Sequence, residues 1–72
     1  MTVQDYMNLP YTISIQHCID GGGNYYSAKV NELDGCMSDG ATQEEAARNI
    51  REAMEGWFET AIENDVPIPI PQ

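Results

Sequence analysis

Basic residues are scarce in this chain of 72: Lys29, Arg48 and Arg51 stand against twelve Asp and Glu, for a formal net charge of −9. Phosphate-rich partners need clustered Lys or Arg, so direct contact with DNA, RNA or an anionic membrane surface is not expected. Long apolar runs are missing as well. No stretch approaches the roughly 20 residues of a membrane-spanning helix, and the opening "MTVQDYMNLP" has neither the basic start nor the apolar run of a secretory signal. A cytoplasmic protein is expected. Histidine occurs once, at His17, and cysteine twice, at Cys18 and Cys36. Zinc sites show closely spaced ligand pairs, whereas adjacent His17 and Cys18 would point to opposite faces of a strand, so neither a metal nor another cofactor is expected. A catalytic thiol would have only His17 for its base. Without an export signal, the two cysteines read as reduced thiols.

What is present is a change of period. Tyr11, Ile13, Ile15, His17 and Ile19 alternate with Thr12, Ser14, Gln16 and Cys18, the pattern of a half-buried strand. "DGGGN" at 20–24 offers three glycines able to take positive φ for a reversal, and "YYSAKVNEL" follows as a second strand. Cys36 and Met37 begin a short third strand ended by Asp39 and Gly40. Thereafter Ala46, Ala47, Ile50, Ala53, Met54, Trp57, Phe58, Ala61 and Ile62 recur at spacings of three and four, the stripe of a long amphipathic helix. Thr42 with Glu45 has the form of a capping box at its start. Trp57, Phe58, Ile50, Met54 and Ile62, at roughly 2 kcal/mol each, would be its largest source of burial. Gly56 is an oddity within it, and permits close approach by a neighbouring backbone.

The tail "VPIPIPQ" puts prolines at 67, 69 and 71. All three remove donors from one lateral edge, while Val66, Ile68 and Ile70 keep theirs on the other, so a terminal strand pairing on one side only is expected. The prediction is a single domain over 1–72, an α+β fold with three antiparallel strands, one long helix and a short C-terminal strand. A domain this small buries only about 60% of its unfolded surface. Association into a homodimer or higher oligomer would supplement its stability.

Asp20, Glu32, Asp34 and Asp39 fall at predicted strand ends and turns, where carboxylates can converge. Such clusters serve two-metal nucleases. Asp and Gly are also ordinary turn formers, and a strongly acidic chain repels a polynucleotide, so enzymatic activity is not expected. The triple glycine is no phosphate cradle, since no helix follows it and no P-loop Lys stands nearby. The four acids remain as candidate contacts for a basic partner protein, with solvated turns as the alternative.

Three stretches, "YMNLPYTISI", "ELDGCMSDGATQEEAARNIREAMEGWFETAI" and "VPIPIP", together resemble the HicB-like antitoxins of HicA/HicB toxin–antitoxin pairs. The resemblance covers roughly residues 5 to 71 and is most specific in the E-L-x-G-C turn and the D-G-x-T-x-E-E-A helix start. It implies a partial ribonuclease H-like β-β-β-α-β topology, a likeness of fold and not of activity. It also implies a partner, a small basic HicA-type toxin that resembles a double-stranded-RNA-binding domain and cleaves messenger RNA through a histidine. The antitoxin would cover that RNA-binding and catalytic face. Many relatives carry a further DNA-binding module toward the C-terminus, for which these 72 residues leave no room. A self-associating structural or regulatory domain without a toxin is the alternative reading.

Overall fold

The computed structural model describes residues 2–71. In chain order it contains α1 (Val3–Met7), β1 (Ile13–Asp20), β2 (Gly23–Val30), β3 (Met37–Gly40) and α2 (Gln43–Glu63). The strands make one antiparallel sheet in the order β1-β2-β3, with α2 packed on one face. This is the α+β arrangement that the change of period predicts.

The hairpin closes on the pair Asp20 and Gly23 and runs to Ile13 opposite Val30. Its turn does not use left-handed glycine. Among the described glycines the one at positive φ is Gly35, at 77° in the β2–β3 loop. At the hairpin tip, Asp20 instead folds back so that Oδ1 accepts from the Gly21 N–H at 2.8 Å.

Thr42 caps α2 as expected, its Oγ1 accepting from the Glu45 N–H at 3.1 Å. Among the described bonds the reciprocal arm of a capping box is found elsewhere, in α1. There Thr2 Oγ1 accepts from the Asp5 N–H at 3.3 Å, and Asp5 Oδ2 accepts from the Thr2 N–H at 2.8 Å. No periodicity announces α1, because five residues are too few to show a stripe or to stand as an isolated helix. It is held by packing: Met7 is buried, and Val3 and Tyr6 lie against the core.

Phe58, Leu33 and Ile50 are the largest fully buried side chains. Tyr6 stacks on Phe58 at 5.2 Å between ring centroids, Tyr11 tilts against it at 5.4 Å, and Trp57 meets it edge-on at 5.9 Å. Ile62, expected in this core, is 40% exposed. It lies on the flank of the stripe, one residue round from buried Ala61 and beside Val3, and Met7 and Leu33 take up the burial instead.

The alternation of β1 is real, but its apolar face is poorly covered. Ile13 and Ile15 pair with Val30 and Ala28, which puts all four on the face that α2 covers. Val30 and Ala28 are buried, whereas Ile13, Ile15 and Ile19 are 36%, 39% and 79% exposed. The cause is width. A helix about 10 Å across covers roughly two strands spaced about 4.8 Å apart, and α2 lies over β3 and β2. Beyond Tyr26 the hairpin also outruns β3, which gives the molecule its 42 × 22 × 16 Å extents.

The expected terminal strand is not formed: among the described residues, none after α2 is assigned to a strand. The Val66 N–H is taken by the Ala61 carbonyl at the helix end, at 2.8 Å, and the tail is held through a side chain. The Tyr11 hydroxyl donates to the Pro69 carbonyl oxygen at 2.6 Å, and Ile68 packs on the core. The chain turns into this segment at Asp65, which takes a left-handed φ of 54°. Asn64 keeps φ at −103°, and its side-chain amide donates to the Thr60 carbonyl at 2.8 Å.

Candidate protein-binding site

The four acids picked out by sequence are not brought together. Asp20 is at the hairpin tip, and Glu32 and Asp34 lie in the β2–β3 loop at the opposite end of the sheet. Asp39 is on β3 opposite Ser27, on the sheet face away from α2. Glu32 has local work to do. Its Oε1 accepts from the Thr12 N–H and its Oε2 from the Thr12 hydroxyl, both at 2.9 Å. These bonds to the charged form, the one from the Thr12 backbone first, hold its carboxyl below the ordinary value of 4.5.

Asp34 and Asp39 bind the helix through their backbones. The Trp57 indole N–H donates to the Asp34 carbonyl at 3.0 Å, and the Asn49 amide to the Asp39 carbonyl at 2.8 Å. Their carboxylates are left in solvent at the margin of β3, since both residues are exposed. Trp57, half-buried, is thereby pinned over the β2–β3 loop.

Between that loop and α2 lies a groove of about 400 Å³. The helix contributes Ala53, Gly56, Trp57 and Thr60, and the loop and β3 contribute Cys36 and Met37. Its lining is mostly apolar, because three small residues at 53, 56 and 60 leave the helix surface low beside Trp57. A Cβ at Gly56 would meet nothing within 4 Å, so the space above it is open. Met37, 66% exposed, forms the opposite lip. The close approach of a neighbouring backbone expected at Gly56 is not found, and the missing side chain opens the groove instead. The other groove residues carry no signal, since they are brought together only by the packing of helix on loop.

Carboxylates lie on both flanks of α2. On a helix of about 100° per residue, the buried stripe of Ala46, Ile50, Met54 and Phe58 fixes which way each other residue faces. Glu52 faces solvent beyond Gly56, while Glu59 and Glu63 lie beside Val3 and Ile62. Arg51 shares its flank with Glu44 and Glu55. Of the four acids picked out by sequence, Asp34 stands nearest the groove, next to Gly35 and bonded through its carbonyl to Trp57.

His17 and Cys18 face opposite sides of β1, and Cys36 is buried. Burial pushes the Cys36 thiol up, which disfavours the reactive thiolate. His17 stacks on Tyr26 at 4.9 Å, with Nε2 3.1 Å from Asn24 Oδ1. No described helix is long and apolar enough to cross a membrane.

The domain is acidic and α+β, with an apolar groove and with His17, Cys18 and Cys36 apart. The sequence model of the HicB_like antitoxin of bacterial toxin–antitoxin systems matches residues 11–72, and the chain belongs to that family. Among curated proteins it is similar to the UPF0150 protein ssr1765 of Synechocystis sp., at 41% identity over 69 residues that cover 96% of this chain and 84% of that one. It is also similar to the UPF0150 protein Ta0767 of Thermoplasma acidophilum, at 36% identity over 61 residues, 85% of this chain and 84% of the relative. No solved structure gives a significant match.

Proposed function

We propose that this chain is a cytoplasmic, non-catalytic antitoxin that neutralises a small basic toxin of the HicA type by covering its RNA-binding and catalytic face. Membership of the antitoxin family carries a toxin–antitoxin role. The observation that supports the rest is the apolar groove between α2 and the β2–β3 loop, with Asp34 beside it, on a chain at −9. A surface built to hold RNA is rich in Lys and Arg and meets carboxylates favourably, which speeds association and fixes orientation. An apolar anchor on the toxin would enter beside Trp57, in the manner of a buried hot spot ringed by polar contacts. Asp34 is the nearest acidic contact, and Asp39 stands on the far face of β3. Asp20 and Glu32 act at longer range, through the field of a chain at −9.

The test is to look beside the gene for an open reading frame encoding a small basic protein, whose absence would count against the reading, and to co-express the two, followed by co-purification and an RNA-cleavage assay. The antitoxin should suppress cleavage stoichiometrically. Gly56→Trp, which fills the groove from a position with open space around it, should weaken toxin binding by about tenfold or more while the domain stays folded. Undiminished cleavage in the presence of excess antitoxin would sink the reading. Unchanged affinity in Gly56→Trp would move the site elsewhere on the surface.

The uncovered side of β1 favours a second property, self-association. It is compatible with toxin binding, because the groove lies on the opposite flank of α2.

A further inference from the structure

Three Asp-Gly pairs occur in this chain, at 20–21, 34–35 and 39–40. In such a pair no side chain shields the glycine nitrogen, which can attack the aspartate carboxyl carbon and close a five-membered succinimide ring. Whether it does so depends on how the fold holds the two groups together.

Two of the pairs are locked. Gly40 stands opposite Tyr26 in the β2–β3 ladder, close against the start of α2, and the Asp39 carbonyl that precedes it accepts from Asn49. Asp34 and Gly35 are the centre of a turn closed by the Cys36 N–H on the Leu33 carbonyl at 3.2 Å, with the Asp34 carbonyl held by the Trp57 indole. Among the described bonds, neither carboxylate meets the amide that follows it. Asp20 does. Its Oδ1 accepts from the Gly21 N–H at 2.8 Å, which keeps the attacking nitrogen against the carboxyl group. The Gly22 N–H folds back on the Asp20 carbonyl oxygen, so the loop bends about this one residue. Residues 20–24 are all exposed, and a Cβ at Gly21, Gly22 or Gly23 would meet nothing within 4 Å. No packing resists ring closure there, and water has free access.

We propose that Asp20 is a self-modification site, at which the hairpin tip converts over time to isoaspartate. The Gly21 nitrogen bonds to Asp20 Cγ, and the carboxyl hydroxyl leaves with the amide proton as water. Water then adds back to one of the two ring carbonyls. Breaking the new bond from nitrogen to Cγ restores aspartate. Breaking the original bond from nitrogen to the main-chain carbonyl carbon routes the chain through Cβ and frees the α-carboxylate. Water lost in the first step returns in the second, and no oxidant or reductant takes part. The net charge stays at −9, but the main chain gains a methylene at the residue that closes the hairpin against Gly23. That closing pair is lost, so the tip of β1 and β2 loosens as the molecule ages. The inference does not rest on the toxin-binding reading.

The experiment is prolonged incubation of the purified chain near neutral pH, both folded and in guanidinium chloride, followed by tryptic digestion, which separates 1–29 from 30–48. Isoaspartate is located by electron-transfer fragmentation and counted by enzymatic methylation of its α-carboxylate. In denaturant the three pairs should isomerise at similar rates. Folding should slow the pairs at 34 and 39 severalfold and leave Asp20 the fastest. Gly21→Val is accepted by the open space and by a φ outside the left-handed region, and its branched side chain hinders attack by the nitrogen. It should suppress modification at Asp20 with the strand content unchanged. Asp20→Glu, whose ring would need six members, should suppress it as well and serves if the valine variant misfolds. Folded protein in which Asp34 or Asp39 isomerises as fast as Asp20 overturns the proposal. So does the same lead for Asp20 in denaturant, or an undiminished rate in folded Gly21→Val.

Discussion

Tyr11 and Pro69, 58 positions apart, are joined by a 2.6 Å hydrogen bond from the tyrosine hydroxyl to the proline carbonyl oxygen. The Tyr11 ring also tilts against Phe58, so one side chain ties the tail, the long helix and the entry to β1.

Tyr11→Phe keeps the ring and removes the bond, and should cost about 1 kcal/mol in urea unfolding. Amide exchange should quicken in 66–71 and leave β2 unchanged. Desolvation first, then nearby Tyr6 and Glu32, push the Tyr11 hydroxyl above its ordinary 10.0. A raised folded value means that this stabilisation is intact below pH 10.0 and is lost as pH climbs through the higher folded value. Wild-type protein should therefore weaken above pH 10.0 by a component that Tyr11→Phe lacks.

Glu32 gives the acid counterpart. Its folded value lies below 4.5, so its bonds to Thr12 contribute fully above that pH and are lost as pH falls toward the lower folded value. The Thr12 amide resonance should report this titration in NMR. In Glu32→Gln the pH-dependent shift at Thr12 should vanish, and the melting temperature at neutral pH should fall. A Thr12 amide insensitive to acid would contradict the assignment.

Two glycines should respond in opposite directions to alanine. A Cβ at Gly40 would stand 2.5 Å from the Ala46 backbone nitrogen and 2.9 Å from the Glu45 carbonyl carbon. Gly40→Ala must shift the start of α2 and should destabilise by about 1–3 kcal/mol. Gly56 has open space and a helical backbone, so Gly56→Ala should stabilise by about 0.5–1 kcal/mol. Paired urea titrations check both signs.

Phe58→Ala removes the ring on which Tyr6, Tyr11 and Trp57 converge. A cost of about 3–5 kcal/mol is expected, a large share of the few kcal/mol available to so small a domain. Near-ultraviolet dichroism should collapse well below the wild-type midpoint.

Much of this fold is legible residue by residue. The period of two through Ile19, the stripe from Ala46 to Ala61 and the Thr42 cap are local patterns, and each appears where the spacing puts it. Charge is legible too, because it depends only on composition. The candidate site is read less well. Asp34 adjoins the groove and Asp39 does not, and Ala53, Thr60, Cys36 and Met37 become a surface only when α2 lies against the β2–β3 loop.

The sequence by itself determined the strand and helix periods, the helix start and an acidity that turns phosphate-rich partners away, since these follow from neighbours along the chain. Tertiary structure alone decided that α1 forms, that the tail is tied by Tyr11 instead of a ladder, and that the isoleucines of β1 stay bare. The first two depend on contacts between residues far apart in the chain and the third on how far a single helix reaches across three strands, distances through space that periodicity along the chain does not encode.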